Sequence, residues 1–282
     1  MWTPLVSIII PTKNSWRTLT ACLASCAQQT YENIEIIVID NFSTDDTKKI
    51  AETSTLLFFS QWPERSAQRN YGVAQASGDY VLIIDSDMKL GNTVVAECVQ
   101  QFQTNNVLLG LVIPEESFGE WFWAQCKKIE RSYYIWIDRM EAARCFRKST
   151  FLEMGWYDTE NIGTEDYDLP QRIEAMYGKK AIGRIEAIIH HDEWKLSLWR
   201  SCQKKFYYGQ RLQTYTAKQA NRKKFQKQSW IKERYALFFT QPKIIIKNPV
   251  LWVCMLFMKT VEMTSGACGY ICSKFKKIEN IY

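Results

Sequence analysis

Three short apolar segments, each followed within a residue or two by a polar one, constrain the fold of this 282-residue chain more than any other feature. They span residues 5–10, 34–39 and 80–84 and are rich in Ile, Val and Leu. Continuous apolar segments of this length are typical of strands buried on both faces of a parallel sheet. The segments between them have helical patterns, at 16–28, 45–52 and 67–76. This alternation predicts an α/β fold with an open, mostly parallel, Rossmann-like sheet flanked by helices.

Polar side chains follow each predicted strand. In open α/β sheets, ligands bind beyond the carboxyl ends of the strands. We therefore expect a binding site to be lined by the polar residues at these ends: Thr12, Asn14, Asp40, Asn41, Asp85 and Asp87.

The segment Asp85-Ser86-Asp87 directly follows the third predicted strand. Two carboxylates one residue apart can converge on one hard cation, and Mg²⁺ or Mn²⁺ held in this way typically also binds substrate phosphates. A surface turn is the alternative interpretation of so short a motif. His190 and His191, the two histidines of the chain, follow a predicted strand at 181–189. They therefore lie where the binding site is expected; the alternative is a structural histidine satisfied by Asp192 or a backbone carbonyl.

Five motifs occur in the order and spacing of one enzyme family. They are Ser-Ile-Ile-Ile-Pro-Thr-Lys-Asn from Ser7, Val-Ile-Asp-Asn-Phe-Ser-Thr-Asp from Val38, Arg-Asn-Tyr-Gly from Arg69, Gly-Asp-Tyr-Val-Leu-Ile-Ile-Asp-Ser-Asp from Gly78 and Gly-Thr-Glu-Asp-Tyr-Asp-Leu from Gly163. Over roughly residues 5–192 the chain resembles the family 2 glycosyltransferases. The resemblance implies a GT-A fold and inverting transfer of a sugar from a UDP- or GDP-sugar, with Mg²⁺ or Mn²⁺.

The resemblance also implies roles for individual residues. The nucleotide-sugar pocket would contain Pro11, Thr12, Asn14, Asp40, Asn41, Arg69, Asp85 and Ser86, with Asp40 at the base and Arg69 near the diphosphate. The metal ligands would be Asp87, Asp85 and His191. Asp166 would be the general base and Glu165 its orienting partner. The alternative is that both acids only cap the helix predicted at 166–177.

Two features depart from the family pattern. Phe42 stands where the acidic turn of the second motif often has a glycine, so the geometry of that turn is open to change. The chain also lacks the Gln-x-x-Arg-Trp motif of processive synthases. The second departure favours transfer of one sugar over polymerisation.

The acceptor would meet the stretch between the metal and base motifs. By the same resemblance, Arg144 and Arg147 would contact an acceptor phosphate and Glu141 would orient a sugar. An ion-paired surface is the alternative for all three residues.

Charge divides the chain in two. Residues 1–193 carry 18 Lys/Arg and 27 Asp/Glu, a net charge of −9, whereas residues 194–282 carry 18 and 3, a net charge of +15. We therefore predict a GT-A catalytic domain at 1–193 and a basic, amphipathic helical extension at 194–282. Cations beside aromatic residues in the extension predict contact with an anionic membrane surface. Its Lys204, Lys205 and Arg211 would hold the phosphate of a lipid-linked acceptor.

The attachment is predicted to be peripheral or monotopic. The unbroken apolar stretch at 250–258 is short for a spanning helix, which needs about 20 apolar residues, and suits a helix that lies in the interface. An odd number of cysteines, nine, without a Cys-x-x-Cys pair, and an N-terminus without a signal-peptide pattern predict a reducing compartment and the cytoplasmic face of a membrane.

Other interpretations remain open at this stage. The acceptor could be a soluble glycan or a protein rather than a polyprenyl-(di)phosphate-linked sugar. The basic, aromatic-rich extension would suit a protein that binds single-stranded nucleic acid, but that interpretation leaves the acidic motifs unexplained, so we expect no nucleic-acid partner. A non-catalytic membrane scaffold would not need the acids at 87, 165 and 166.

Overall fold

The computed structural model describes residues 3–55, 57–60, 64–137, 140–161, 163–217 and 231–279. The chain forms two compact units. The first contains Met1–Glu115, Glu141–Thr159 and Glu165–Asp192, and the second Glu116–Met140, Glu160–Thr164 and Glu193–Tyr282. The domain boundary predicted after residue 193 stays a prediction, although two segments before it group with the C-terminal part of the chain.

The described residues contain ten strands and eleven α-helices. The strands are β1 (Val6–Thr12), β2 (Ile34–Asp40), β3 (Leu57–Ser60), β4 (Tyr80–Ile83), β5 (Met88–Leu90), β6 (Gly110–Val112), β7 (Glu115–Phe118), β8 (Ala143–Arg147), β9 (Ile182–Arg184) and β10 (Ile189–Asp192). The helices are α1 (Trp16–Ala27), α2 (Thr47–Glu52), α3 (Arg65–Gln75), α4 (Val94–Thr104), α5 (Phe122–Ser132), α6 (Lys148–Glu153), α7 (Glu165–Tyr177), α8 (Leu198–Ala217), α9 (Ile231–Leu237), α10 (Pro242–Lys247) and α11 (Pro249–Glu279).

A seven-stranded sheet of order β3-β2-β1-β4-β8-β6-β9 forms the centre of the first unit. β1 is parallel to both β2 and β4, and β2 is parallel to β3. β8 runs antiparallel to β4 and β6. The predicted α/β class with a mostly parallel sheet is therefore confirmed. The pairing of Thr12 with Asp40 in the β1–β2 register brings two of the predicted site residues to the same edge.

Both faces of the sheet are covered, which explains why its central strands are mostly apolar. Ile8 and Ile10 pack in a cluster with Leu19 and Phe102, from α1 and α4. Ile9, on the other face of β1, packs in a second cluster that includes residues of α3 and α7. A strand that is buried on both faces has no side that meets water, so polar and apolar residues do not alternate along it.

The segment predicted as one strand at 181–189 differs from the structure. It forms β9, then a turn, and then β10, so that His190 and His191 lie inside a strand and not after one. The physical reason is pairing: β10 runs antiparallel to β5, with His191 opposite Met88. Strands of three or four residues have too few positions to show a period, so this pairing could not be seen in the sequence.

The described residues of the second unit are mainly helical, and Glu116–Phe118 of β7 also belong to this unit. α11 packs against α5 and α8, and its apolar contacts centre on Trp252, Met255 and Met258. α8 and α11 approach so closely that a Cβ on Gly269 would lie 2.1 Å from the Phe206 carbonyl oxygen. The contact therefore requires glycine at that position.

We expect Gly269→Ala to lower the melting temperature, because the added methyl group must push the two helices apart. Overpacking of this kind typically costs about 1–3 kcal/mol, more than the roughly 1 kcal/mol that alanine gains over glycine in a helix. Thermal unfolding followed by circular dichroism is the measurement.

Gly266→Ala is the matched control for this change. It lies on the same helix, but its Cβ would meet only the Lys205 carbonyl oxygen, at 3.6 Å, an ordinary contact. The control should be at least as stable as the parent chain. Equal melting temperatures for the two variants would contradict the close approach of α8 and α11.

Candidate active site

Asp40 organises the edge of the sheet where β1 and β2 end. Its carboxylate accepts hydrogen bonds from the hydroxyl of Thr12 (2.9 Å) and from the backbone N–H (2.7 Å) and hydroxyl (2.5 Å) of Ser43. The residue is buried. These bonds fix the turn after β2 against the end of β1. The predicted role of Asp40 at the base stays a prediction.

The loops after β1 and β2 are joined by Asn14. Its backbone N–H donates to the Ser43 hydroxyl (2.7 Å) and its side-chain oxygen accepts from the Thr44 N–H (2.9 Å). Asn14 has φ of 49° and Phe42 has φ of 47°, both in the left-handed region. The turn with Phe42 in place of glycine thus keeps a conformation that glycine favours, and it leaves the aromatic ring 61% exposed.

Two more of the predicted pocket residues lie beside these loops. Asn41 is buried, and its side-chain oxygen accepts a hydrogen bond from Lys13 Nζ (3.3 Å). The Ser86 hydroxyl donates to the Ser15 hydroxyl at 2.8 Å. The structure therefore brings the ends of β1, β2 and β4 together, as the order of the motifs predicts. Pro11 is buried within β1, opposite Ile39.

Arg69 is the centre of the charged part of the site. Its side chain is fully buried, and it projects from α3 to three carboxylates. One guanidinium nitrogen lies 2.7 Å from Asp85, and the other lies 2.5 Å from Asp166 and 3.2 Å from Glu165. The guanidinium is therefore already paired with three carboxylates of the protein. The predicted position of Arg69 near the diphosphate stays a prediction.

Arg65, one helical turn before Arg69 on α3, is a site residue that the sequence analysis missed. Its guanidinium lies 3.3 Å from Glu165 and 3.7 Å from Asp85, and its side chain is 36% exposed. The spacing of four residues on one helix was the signal that could have identified it. Arg65 is the cation of this group that a ligand can reach.

The surroundings of the acids shift their pKa values in opposite directions. Burial would raise the pKa of Asp85, but the charges of Arg69 and Arg65 outweigh it and hold that pKa well below its usual range. Burial, and then the negative charge of Asp166, raise the pKa of Glu165 despite the same two cations. The side chain of Glu165 is 2% exposed, whereas that of Asp166 is 21% exposed. Asp166 is therefore the acid of this pair that an incoming hydroxyl can approach.

Asp87 and His191 form a second polar group. His191 Nε2 lies 3.3 Å from Asp87 Oδ2, and the Asp192 backbone N–H donates to the Asp87 carbonyl (2.8 Å). The β5–β10 pairing therefore brings His191, and not the exposed His190, beside the acidic motif. Asp85 does not join this pair, because its carboxylate contacts Arg69 and Arg65.

The Asp87–His191 pair fits one divalent cation in chemistry. Asp87 Oδ1 is buried and has no hydrogen-bond partner among the described residues. Carboxylate oxygen and imidazole nitrogen both suit Mn²⁺, and carboxylate oxygen suits Mg²⁺. No group of three or more His, Cys, Asp or Glu side chains in the described ranges is arranged to hold a metal. The protein would therefore supply few ligands, and phosphates and water the rest, as is usual for Mg²⁺.

Arg144 and Glu141, two of the residues predicted to meet the acceptor, form ion pairs within the first unit. Arg144 donates to Glu115 (2.6 Å), whose other oxygen lies 3.9 Å from His191 Nδ1, and Arg184 lies 2.6 Å from Glu141. Arg144 and Glu115 therefore extend the polar group around His191.

Arg147 lies elsewhere. It donates to the backbone carbonyls of Leu108 (2.8 Å) and Phe102 (2.7 Å), and its guanidinium stacks over the ring of Tyr80, the first residue of β4. Asp85 follows the other end of that strand. The structure therefore does not bring Arg147 to the site.

The basic residues predicted to bind an acceptor phosphate lie on α8, in the second unit. Lys204 Nζ lies 5.8 Å from the ring centre of Tyr208, and the Arg211 guanidinium 5.5 Å from that of Tyr207. Burial lowers the pKa of Lys205 to about 7, helped by the charges of Lys127 and Lys259. The contact of Lys204, Lys205 and Arg211 with an acceptor stays a prediction.

Solved structures of low sequence identity share this architecture. Mannosyltransferase PcManGT from Pyrobaculum calidifontis, in complex with GDP-Man and Mn²⁺, aligns with a TM-score of 0.64 at 15% identity, over 98% of this chain and 89% of that one. S. aureus TarS 1–349 aligns with a TM-score of 0.51 at 15% identity, over 98% and 92%. At these identities the likeness shows the fold, and the fold is GT-A-like, as predicted.

The sequence also places the chain in a family. Residues 7–163, more than half of the chain, match the model described as glycosyl transferase family 2. The chain belongs to this family, as its motifs predict.

Curated relatives are similar over part of their length. An uncharacterized glycosyltransferase of Haemophilus influenzae is 35% identical over 115 residues, which cover 38% of this chain and 45% of that protein. The UDP-Glc:alpha-D-GlcNAc-diphosphoundecaprenol beta-1,3-glucosyltransferase WfaP of Escherichia coli is 35% identical over 108 residues, which cover 36% and 43%. The chain spans less than half the length of these relatives.

We expect Arg69→Gln to destabilise the first unit strongly, because it leaves buried carboxylates without their shared cation. Breaking one partner of a buried charge group costs about 3–5 kcal/mol. Urea unfolding followed by tryptophan fluorescence measures the loss. Arg65→Gln is the matched control: its side chain is partly exposed, so water can replace it, and it should cost under about 1 kcal/mol. A similar loss for both variants would contradict the central role of Arg69.

Proposed function

We propose that the chain is an inverting glycosyltransferase that moves one sugar from a UDP- or GDP-sugar to a polyprenyl-(di)phosphate-linked acceptor at the cytoplasmic face of a membrane. The observation that carries the proposal is the shared contact of Arg69 with Asp85 and Asp166, at 2.7 and 2.5 Å. One buried guanidinium thereby joins the motif that follows β4 to the acidic motif that begins α7. This contact supports the proposal, because the groups that act on the donor and on the acceptor of one transfer must lie close together.

The donor would bind at the carboxyl edge of β1, β2 and β4. Asn14, Asp40 and Asn41 would line the base and ribose part of the pocket, beside the ordered turn at Ser43. Arg65 would face the diphosphate in place of Arg69, because it is the more exposed of the two cations. Solved neighbours that carry UDP or GDP-Man, namely S. aureus TarS and PcManGT, support a nucleotide-sugar donor.

Asp87 and His191 would hold the divalent cation. When bound, the cation would offset the charge of the leaving nucleoside diphosphate. Glu115, which lies 3.9 Å from His191 Nδ1 and accepts a hydrogen bond from Arg144, would orient the imidazole ring. The Mn²⁺ in the complex of PcManGT supports this choice of cofactor.

Asp166 would take the proton of the acceptor hydroxyl as that oxygen attacks the anomeric carbon. It is the more exposed acid of the Glu165–Asp166 pair, and Arg69 fixes the orientation of its carboxylate. Glu165, buried beneath it, would position the arginines and would not touch the substrate. The pair of roles follows from the difference in burial, because only an accessible carboxylate can accept the proton.

The acceptor class rests on relatives. The names of E. coli WfaP and of the Campylobacter jejuni GalNAc(5)-diNAcBac-PP-undecaprenol beta-1,3-glucosyltransferase both specify undecaprenol-linked substrates. The second is 31% identical over 108 residues, covering 35% of this chain and 34% of that protein. A basic C-terminal segment with a long apolar helix is consistent with an acceptor that resides in a membrane.

Donor binding is tested by calorimetric titration of UDP- and GDP-sugars with Mn²⁺, Mg²⁺ or chelator. One nucleotide class should bind, and chelator should weaken it. Asp87→Asn should lower the metal-dependent affinity at least about tenfold, because it removes a charged ligand. Asp79→Asn, at the other end of β4, is the control and should bind as the parent chain does. Failure of every nucleotide sugar to bind a folded sample would contradict the proposal.

The base is tested by transfer of a radiolabelled sugar to a lipid extract. Asp166→Asn keeps the shape of the side chain but cannot accept the proton, so transfer should fall by about 10²–10⁴-fold. Donor affinity should change little, which separates the base from the binding groups. Glu174→Gln, on the same helix, serves as the control. Parent-level transfer by Asp166→Asn would exclude the assigned base.

A further inference from the structure

The outward face of α11 carries no charge over most of its length. Between Pro249 and Ser273 the helix has two charged residues, Lys259 and Glu262, and these are only 5% and 1% exposed. Large apolar side chains of the same helix are exposed: Val250 68%, Val253 59%, Phe257 56%, Ile271 52% and Phe275 64%. A helix face that meets water is normally polar and charged. This face is therefore built for a different environment.

The apolar surface continues into the preceding segment. Phe239 and Ile246 are 58% and 79% exposed, and they lie in the short connection between α9 and α11. We call the exposed side chains of Phe239, Ile246, Val250, Val253 and Phe257 the apolar face. Three of its members, Val250, Val253 and Phe257, recur at helical spacing along the start of α11, as scattered apolar residues would not.

Exposed lysines precede and follow the apolar stretch of α11. Lys243 and Lys247 are exposed on α10, and Lys274 is exposed near the C-terminal end of α11. The outward residues between the two ends are uncharged, among them Thr260 and Thr264. Cations around an apolar strip complement a surface that is anionic outside and apolar just beneath, which is the boundary of a bilayer with anionic lipid.

The inner face of α11 is fixed to the rest of the second unit by buried ion pairs. Lys259 Nζ lies 2.5 Å from Glu130 on α5, and Glu262 lies 3.1 Å from Lys127. Tyr134 also donates to Glu130, at 2.8 Å. Lys259 and Glu262 keep these ion-pair partners only while α11 remains packed on α5.

That packing decides between two ways of meeting a bilayer. Residues Pro249–Phe275 are long and apolar enough to cross one, with a mean hydropathy of 1.2, and 22% of the most apolar stretch is buried. Crossing would pull Lys259 and Glu262 away from their partners into hydrocarbon, at high cost. Lying in the interface immerses the apolar face and leaves both ion pairs intact.

We propose that the apolar face, with Lys243, Lys247 and Lys274, is a docking surface for a bilayer rich in anionic lipid, on which α11 lies in the interfacial plane. This inference rests on the membrane location in the proposed function and deepens it by naming the residues that dock. It stands or falls without any sugar transfer.

The test is flotation of the full chain with vesicles of phosphatidylcholine alone or with phosphatidylglycerol added. The parent chain should float with the anionic vesicles, and 0.5 M salt should weaken binding, since salt screens charge over about 10 Å already at 0.1 M. Val253→Asp combined with Phe257→Asp should lower the vesicle partition coefficient at least tenfold. Lys243→Gln combined with Lys247→Gln should remove most of the preference for anionic lipid.

Val107→Asp combined with Met176→Asp is the matched control, because these residues are 58% and 66% exposed but lie in the first unit. The control should float as the parent chain does. Equal flotation of the Val253/Phe257 variant, with a parent-like melting temperature, would overturn the proposal. So would a parent chain that ignores vesicles but is a dimer by light scattering that the Val253/Phe257 changes dissociate, because the face would then bind a second copy.

The depth of a fluorophore on α11 in the bilayer distinguishes a helix that lies in the interface from one that spans the membrane. Thr264 is exposed near the middle of the apolar stretch, and Cys268 and Cys272 are the exposed cysteines among the described residues. Thr264→Cys in a Cys268→Ser/Cys272→Ser background carries a fluorophore at this site. Lipids with a quencher near the headgroup should quench it more than lipids with a quencher near the chain end. The reverse order would show a spanning helix and overturn the interfacial arrangement.

Discussion

The buried guanidinium of Arg69 is the interaction on which the proposed chemistry depends. It joins α3 to Asp85, the second residue after β4, and to the first turn of α7, where Glu165 lies 96 residues further along the chain. A buried cation is tolerated only when its partners are close and well placed, so these acids are positioned with little freedom. The same cation, with Arg65, lowers the pKa of Asp85, while burial and Asp166 raise the pKa of Glu165. Neighbouring carboxylates around one cation thus differ in pKa because their burial and their other charged neighbours differ.

Much of the first unit could be predicted from its sequence, because strands buried on both faces leave a clear apolar signal. β1, β2 and β4 begin and end within two residues of their predicted positions. The contacts within the site could not be predicted in the same way. Motif order indicates which edge of the sheet a residue occupies, but not that Arg69 is enclosed by acids or that Arg147 lies at the other end of β4. The short β5–β10 pairing, which brings His191 to Asp87, has no periodic signal at all.

The second unit shows the same limit. The apolar character of α11 is visible in the sequence, and so are the two charges that interrupt it. Their partners on α5, Lys127 and Glu130, lie more than a hundred residues earlier in the chain, and no local pattern connects them. Without those partners the helix looks like an interrupted membrane span; with them it is an amphipathic helix whose charged positions face inward. In both units, buried ion pairs determine how the surrounding apolar segments pack.

The central claim is that Asp87 and His191 form a cation site next to the acids that Arg69 organises. Electron paramagnetic resonance of Mn²⁺ added to the full chain with UDP or GDP tests it most directly, because nitrogen coupling reports an imidazole ligand. The account predicts a nucleotide-dependent bound Mn²⁺ signal with nitrogen coupling that His191→Ala removes and His190→Ala retains. A bound signal without nitrogen coupling, or one that His191→Ala leaves unaltered, would contradict it.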